Sequence, residues 1–293
     1  MRALILSFSP CGTTSTVAGM YESSLIRHGW TVSRTDLAGN PDLFVRRDPE
    51  GFLAGLAPHD LLLAGGPVYI DHLQYNLADL LRHLPLPAPG SGWSRFAALF
   101  VTFGKVSPGL ALAEGARILS FRGRSVLSAL EADSTHCLSR HFSPRISPDF
   151  PGPETRRLVD ESCAHLTRLL SRRSPDPPGL NLMLQSLRDR IPEPRDEREV
   201  LETTFPPFVL DPDRCTGCLR CVRHCPVCHL VVTNGRPAPD GPSPCIHCTR
   251  CLLECPTGAI VMDLRPKQAF LTAQLHRLNL DPGGESESRL FLS

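Results

Sequence analysis

Two short runs carry the densest chemistry in this 293-residue chain, "CTGCLRCVRHCP" at 215–226 and "CIHCTRCLLECP" at 245–256. Both read C-x2-C-x2-C-x3-C-P, repeated at an offset of 30 residues. Three thiolates at that spacing can clasp one [4Fe–4S] cluster from a tight turn. The fourth cysteine then ligates the other cluster, and the proline redirects the chain. One cluster is expected on Cys215, Cys218, Cys221 and Cys255, and a second on Cys245, Cys248, Cys251 and Cys225. A zinc ribbon is the competing metal reading, since Cys225-Pro-Val-Cys228 is followed after 16 residues by Cys245-Ile-His-Cys248. It leaves Cys215, Cys218, Cys221, Cys251 and Cys255 without a role, whereas the iron–sulfur reading uses eight of the nine cysteines and leaves only Cys228. Cys228 is expected as a buried thiol near the second cluster. His224, His229 and His247 sit beside ligand cysteines as surface groups or as partners that tune potential.

The first 200 residues supply a different frame, with only Cys11, Cys137 and Cys163 among them. Strands are predicted over 2–8, Trp30–Thr35, Leu61–Ala64, Phe96–Phe103 and Ser125–Leu130. Between them, helical spacing links Val17, Met20, Tyr21, Ser24 and Leu25 in a helix from Thr13 to the stop at His28-Gly29. The same spacing recurs at Leu73, Leu77, Leu80, Leu81 and Leu84, at Leu112, Ala116 and Leu119, and over 154–172. The run Leu61–Ala64, closed by Gly65-Gly66-Pro67, reads as a strand buried on both faces. Five strands alternating with helices predict an α/β, doubly wound parallel sheet with right-handed crossovers. Ligands of such sheets bind beyond the carboxyl ends of the strands, where strand order reverses. Three loops belong there. Ser9, Pro10, Cys11, Gly12, Thr13 and Thr14 offer hydroxyls and N–H groups at a helix N-terminus, which suits a phosphate. Loop 65–73 brings Gly66, Pro67, Val68 and Tyr69, and loop 103–109 brings Phe103, Gly104 and Lys105, with aromatics to cover a ring.

These loops carry a resemblance. Phe8-Ser9-Pro10-Cys11-Gly12-Thr13-Thr14 running into Val17-Ala18 resembles the FMN-phosphate loop of flavodoxin-like proteins, above all of the group fused to a ferredoxin. Gly66-Pro67-Val68-Tyr69 and Thr102-Phe103-Gly104 resemble that group's two flavin-ring loops, so the likeness spans roughly residues 1–140. It implies a flavodoxin-like five-stranded sheet that binds FMN, followed by a small α+β ferredoxin domain with two [4Fe–4S] clusters. Cys11 stands where the family usually has Thr, which replaces a good phosphate donor by a weak one, and Asp71 stands where it usually has Gly.

The expected organisation is therefore an FMN-binding domain over 1–172, a linker over 173–204, a ferredoxin-like domain over 205–265 and a helical or disordered tail over 266–293. The linker contains Pro-rich pieces at 174–178 and 192–194 and could dock or simply tether; Gly283 to Ser288 reads as disordered. With net charge +1 there is no global field for nucleic acid or anionic lipid, and no apolar stretch approaches membrane-spanning length. The start of the chain lacks a signal-peptide pattern, so a cytoplasmic protein with reduced cysteines is expected. The expected function is electron transfer between FMN and the two clusters, exchanging with redox partner proteins. One alternative is a flavin-dependent reductase using Asp71, His72 or His136 as acid or base, with the clusters as relay. Another is a redox sensor whose flavodoxin-like domain binds no flavin.

Overall fold

A computed structural model describes residues 1–172, 179–191 and 193–293. The proline-rich piece 174–178 and Pro192 lie outside the described residues. Strand β1 (Arg2–Ser7) leads into helix α1 (Thr13–Arg27) and on to β2 (Thr31–Asp36) and α2 (Pro49–Ala54). Next come β3 (Leu61–Tyr69), the short β4 (His72–Leu73), α3 (Tyr75–His83), β5 (Phe96–Phe103), α4 (Ala111–Phe121), β6 (Ser125–Asp133) and α5 (Pro153–Ser171). The central sheet runs β11-β6-β5-β3-β1-β2, its last-numbered member being the C-terminal strand introduced below. Counted alone, the five parallel strands stand in the order 2-1-3-4-5, which is the flavodoxin-like order, with its reversal between β1 and β3.

Both faces of this sheet are covered, which is why its strands read as unbroken apolar runs. Along β1, Leu4 and Leu6 enter one core with Leu62 and Ala64 of β3, Leu77 and Leu81 of α3 and Leu112 and Leu119 of α4. Ala3 and Ile5 point the other way, to Val17 and Tyr21 of α1 and Leu158, Val159 and Leu166 of α5. Full burial of a side chain such as Leu4 contributes about 1.5–3 kcal/mol relative to exposure. Strand β3 is longer than the predicted Leu61–Ala64, because Gly65 to Tyr69 continue its pairing before a hairpin turn into β4. Gly65 permits this, since a Cβ there would stand 1.9 Å from the Phe100 ring.

Helices α6 (Asn181–Ser186) and α7 (Glu197–Thr204) come from the expected linker and dock on the sheet domain. Leu184 is fully buried in the first core, and Asn181 bridges strand and helix: Oδ1 accepts from Val126 N at 2.9 Å, while Nδ2 donates to Ala116 O and Arg124 O. The cysteine-rich part contains β7 (Val209–Leu210), α8 (Arg220–Arg223), β8 (Val231–Thr233), β9 (Arg236–Ala238), α9 (Arg250–Glu254) and β10 (Ile260–Val261), with β7 and β10 antiparallel. The sequence repeat is visible in the backbone. Left-handed residues recur at the same 30-residue offset: Gly217 and His247, Leu219 and Thr249, Cys228 and Gly258. Helix α10 (Arg265–Arg277) packs Leu271 and Leu275 against Leu138 and Ile146 beyond β6. No helix among the described residues is long and apolar enough to cross a membrane.

The tail contains a short strand as well as helix α10. Strand β11 (Arg289–Leu292) pairs antiparallel with β6, Leu290 opposite Leu130 and Phe291 opposite Ala129. The Gly/Ser-rich segment before it hides this short apolar strand, and Ser288 Oγ accepts from Asp133 N at 3.0 Å. Removing residues 286–293 is expected to uncover the β6 edge and lower Tm by roughly 5 °C or more, with increased aggregation on heating. Calorimetry and light scattering of the truncated chain read both effects.

Candidate functional site

The eight run cysteines sort into two groups in space. Cys215, Cys218, Cys221 and Cys255 line one cleft together with Leu210, Pro237 and Ile260, and Cys218 is exposed to solvent. Cys225, Cys245, Cys248 and Cys251 lie close enough to influence one another electrostatically. Each group takes three cysteines from one run and the fourth from the other, which is the arrangement expected of crossed ligation. The two halves share a small core of Cys221, Leu230 and Ile260, and Arg220 of α8 is tied to Glu254 of α9 at 3.1 Å.

Backbone N–H groups point at the sulfurs: Ala259 N reaches Cys255 Sγ at 3.1 Å and His247 N reaches Cys245 Sγ at 3.4 Å. Such bonds stabilise thiolate, and burial opposes it, pushing the Cys245 thiol up to about 12. A buried thiolate set of this kind suits a cationic iron core. No three His, Cys, Asp or Glu among the described residues converge on one ion. Cys228 turns its Sγ to Gly39 O at 3.8 Å, so the ligand set of a zinc ribbon is not assembled. Cys228 occupies the left-handed turn that Gly258 occupies in the other half, which explains why it is the spare.

The second group faces the carboxyl end of the sheet. Gly39 N donates to Pro226 O at 2.7 Å, Ser243 Oγ to Phe44 O at 2.8 Å, and Arg250 Nη1 to Pro10 O at 3.2 Å. Val227 and Ile246 enter the same core as Leu37 and Phe44. Cys11 Sγ donates to Cys248 O at 3.1 Å, and Cys137 packs against the same core. The neighbouring Cys137 and Cys248 thiols, with burial, push Cys11 well above the ordinary thiol range, while the Cys11 thiol draws Cys137 down. Sequence reasoning gave Cys137 no role, and its only signal was being one of three cysteines outside the runs.

The three predicted flavin loops come together at this end, but the docked parts close on them. In the first, Ser9 N donates to Asp36 Oδ1, Ser15 N to Ser9 Oγ, and the Thr14 and Thr102 hydroxyls bond each other at 2.7 Å. Only Gly12 and Thr13 stay partly open, beyond the buried Ser9, Pro10 and Cys11. In the second, Gly66 and Pro67 are buried, Val68 is half-buried, and the Tyr69 hydroxyl is buried without a partner near Cys137, Cys248 and Cys11. In the third, Phe103 is buried and Gly104 is covered by the His136 ring, so that a Cβ there would lie 2.4 Å from it. Lys105 is buried against Asp133 at 3.5 Å and donates to the Glu285 carbonyl of the tail. Tyr69 Oη and His136 Nδ1, both unpartnered, suit a water or small group. Beside these loops stand the His136 ring over Gly104 and the Cys248 carbonyl on Cys11.

The candidate acid–base groups are also engaged. Asp71 accepts from Arg195 at 3.1 and 3.3 Å. His72 is pushed up to about 9 by its bond to Glu114, and its two nitrogens donate to Glu114 Oε1 and Arg195 O, both at 2.7 Å. Both partners are acceptors, so this ring is an imidazolium. Burial lowers His136 to about 4 and keeps it neutral. Glu197, at the start of α7, is pushed up to about 8 by burial. Arg195 thus clamps the former linker onto loop 65–73, a role that nothing in its sequence spacing signals.

Residues 214–260 match the family model of the 4Fe-4S dicluster domain. No curated protein matches the chain in sequence. Among solved structures, the chain is similar to a flavodoxin from the domain Archaea, at 12% identity over 59% of this chain and 100% of that one, with TM-score 0.41. It is similar to the apo form of an NADH:FMN oxidoreductase at 18% identity over 61% and 95%, with TM-score 0.44. It is also similar to rubredoxin oxygen:oxidoreductase from Desulfovibrio gigas at 13% identity and TM-score 0.43, over 58% of this chain and 36% of that one. The chain thus spans little more than a third of the Desulfovibrio gigas enzyme.

Two outcomes follow from this geometry. The double variant Cys215→Ser/Cys255→Ser is expected to keep about half of the iron, because both changes fall on one group, whereas Cys215→Ser/Cys251→Ser keeps almost none. Equal iron in the two would refute the crossed arrangement. Glu197 and His72 both bind their protons more tightly when folded. Stability therefore falls as pH rises from the ordinary 4.5 to about 8 for Glu197, and from 6.5 to about 9 for His72. Glu197→Gln is expected to flatten the lower part of that fall and raise Tm at pH 8 by about 3 °C, as read by thermal melts across pH.

Proposed function

We propose that this chain, which joins a flavodoxin-like α/β sheet to a C-terminal 4Fe-4S dicluster domain, is an iron–sulfur electron carrier of cytoplasmic redox metabolism. The sorting of eight cysteines into one solvent-facing group and one sheet-facing group carries the reading. Cys215, Cys218, Cys221 and Cys255 would hold one cluster, and Cys225, Cys245, Cys248 and Cys251 the other. When bound, each [4Fe–4S] cluster handles one electron at a time. The residues position and tune: Ala259 N and His247 N donate to ligand sulfurs, which favours the reduced, more negative state.

Exposed Cys218 marks the face where a redox partner protein exchanges electrons. The opposite face is closed by Val227, Ile246 and the Cys248 carbonyl against the sheet. The flavodoxin-like domain acts as a platform that shields the second group from water. The engaged Asp71 and His72 speak against a flavin-dependent reductase.

Anaerobic purification, followed by iron, sulfide and flavin analysis and stepwise reduction, tests this. About eight irons per chain, bleaching of visible absorption on reduction and less than stoichiometric flavin are expected. Zinc in place of iron would overturn the carrier reading, and one tightly bound FMN per chain would overturn the closed platform.

A further inference from the structure

We propose that the sheet-facing cysteine group has its own electron port, running from His247 through the Phe205 ring to Lys267 on α10, and that an acidic one-electron carrier protein docks there. The inference rests on the carrier reading above, in which that group holds a cluster. The sequence repeat points to the port. Cys218 is exposed, but Cys248, its counterpart 30 residues on, is buried at 8% exposure. The direct access that serves the first group is therefore lost in the second. The preceding residue differs as well: Gly217 in the first run is His247 in the second, and both are left-handed, at φ 67° and 51°. That conformation suits glycine and is uncommon for a residue with a side chain. The second run thus carries a ring where the backbone favours none.

This ring stacks on Phe205, with centroids 4.9 Å apart and planes at 30°. Its Nδ1 is buried and finds no partner among the described residues, so stacking rather than a hydrogen bond at that atom holds it. Lys267 also sits on Phe205, its ammonium 3.8 Å from the ring centroid and donating to the Thr204 hydroxyl at 2.5 Å. Starting from Cys245, whose Sγ receives the His247 N–H at 3.4 Å, these contacts make a packed path to α10. Electron tunnelling falls off less steeply through packed atoms than across a gap. Helix α10 makes the mouth of the path cationic, since no residue from Arg265 to Arg277 is acidic. Lys267, Phe270, Gln274 and Arg277 follow one another at helical spacing and share a stripe. Phe270 is 47% exposed, Arg277 donates to Gln274 rather than to a carboxylate, and Arg265 is neutralised by Asp263 at 2.7 Å. An exposed aromatic between two cations fits a partner whose redox centre is rimmed by carboxylates. One electron passes from the reduced group to the partner's oxidised centre, and no bond or proton moves.

Two anionic complexes stand in for the acidic partner. In the full iron-loaded wild-type chain, the paramagnetic hexacyanochromate(III) is expected to broaden the NMR signals of Phe270 and Arg277. Broadening that spares α10 would overturn the port. Electron transfer is read in Cys215→Ser/Cys255→Ser, which keeps the sheet-facing group, by stopped-flow oxidation of the reduced chain with ferricyanide, each ion taking one electron. Adding Lys267→Glu is expected to slow this about tenfold at low salt, an effect that fades as ionic strength rises. Oxidation by the cationic hexaammineruthenium(III) is not slowed by that change, whereas Phe205→Leu slows both oxidants at equal iron content. The exposed Arg117 of α4 supplies the control for net charge, and Arg117→Glu leaves both rates unchanged. Equal ferricyanide rates with and without Lys267→Glu would also sink the port. The NMR measurement uses the wild-type chain, so it decides the matter even where a variant fails to fold. Loss of the carrier reading shows separately, as a lack of iron in the wild type.

Discussion

The Cys248 segment meets the sheet at the reversal between β1 and β3, and the rest of the molecule is arranged around that contact. A parallel sheet leaves a crevice there because neighbouring crossovers leave in opposite directions. In this chain the crevice receives polypeptide. Cys11 gives its only S–H to a backbone carbonyl of the cysteine-rich part, and Val227 and Ile246 extend the sheet's own core. A core shared in this way ties the cluster half to the platform more firmly than a tether, because separating them exposes apolar surface and strands buried polar groups.

The closing elements satisfy charges that would otherwise be stranded. Lys105, buried beside Asp133, needs the tail carbonyl of Glu285 to complete its ammonium shell. Asp71 needs Arg195, and the His72 imidazolium needs both Glu114 and the Arg195 carbonyl. The buried Lys105 ammonium is costly to leave without an acceptor, which holds the tail carbonyl in place, whereas the half-exposed Arg195 contributes less. Arg195 of the former linker and Glu285 of the tail are thereby held beside the loops that a flavin would otherwise approach.

Much of this was legible in advance. Strand Phe96–Phe103 and the helix over 154–172 stood out because long periodic apolar patterns dominate local preference. The cysteine groups were legible because ligand spacing is a local property of the chain. Glycines 65 and 66 were read as loop, yet they lie in β3, since close packing on Phe100 rather than a turn requires Gly65. Strand β11 is not legible in the sequence, because four residues after a Gly/Ser stretch have too little pattern to show. Glu197 carries no sequence signal and Cys137 only that of being one of three cysteines outside the runs; their surroundings come from elements far away in the chain.

The sequence by itself determined the α/β class, the strand-to-helix rhythm and the two interleaved cysteine runs, all of which rest on spacing within a few dozen residues. Only the tertiary structure decided which side of the cysteine-rich part faces the sheet and what fills the crevice. That choice depends on contacts such as Cys11 with Cys248 and Lys105 with Glu285, between residues more than 150 positions apart. Loop composition shows what a crevice could bind. Long-range packing settles whether a ligand or the protein's own chain occupies it.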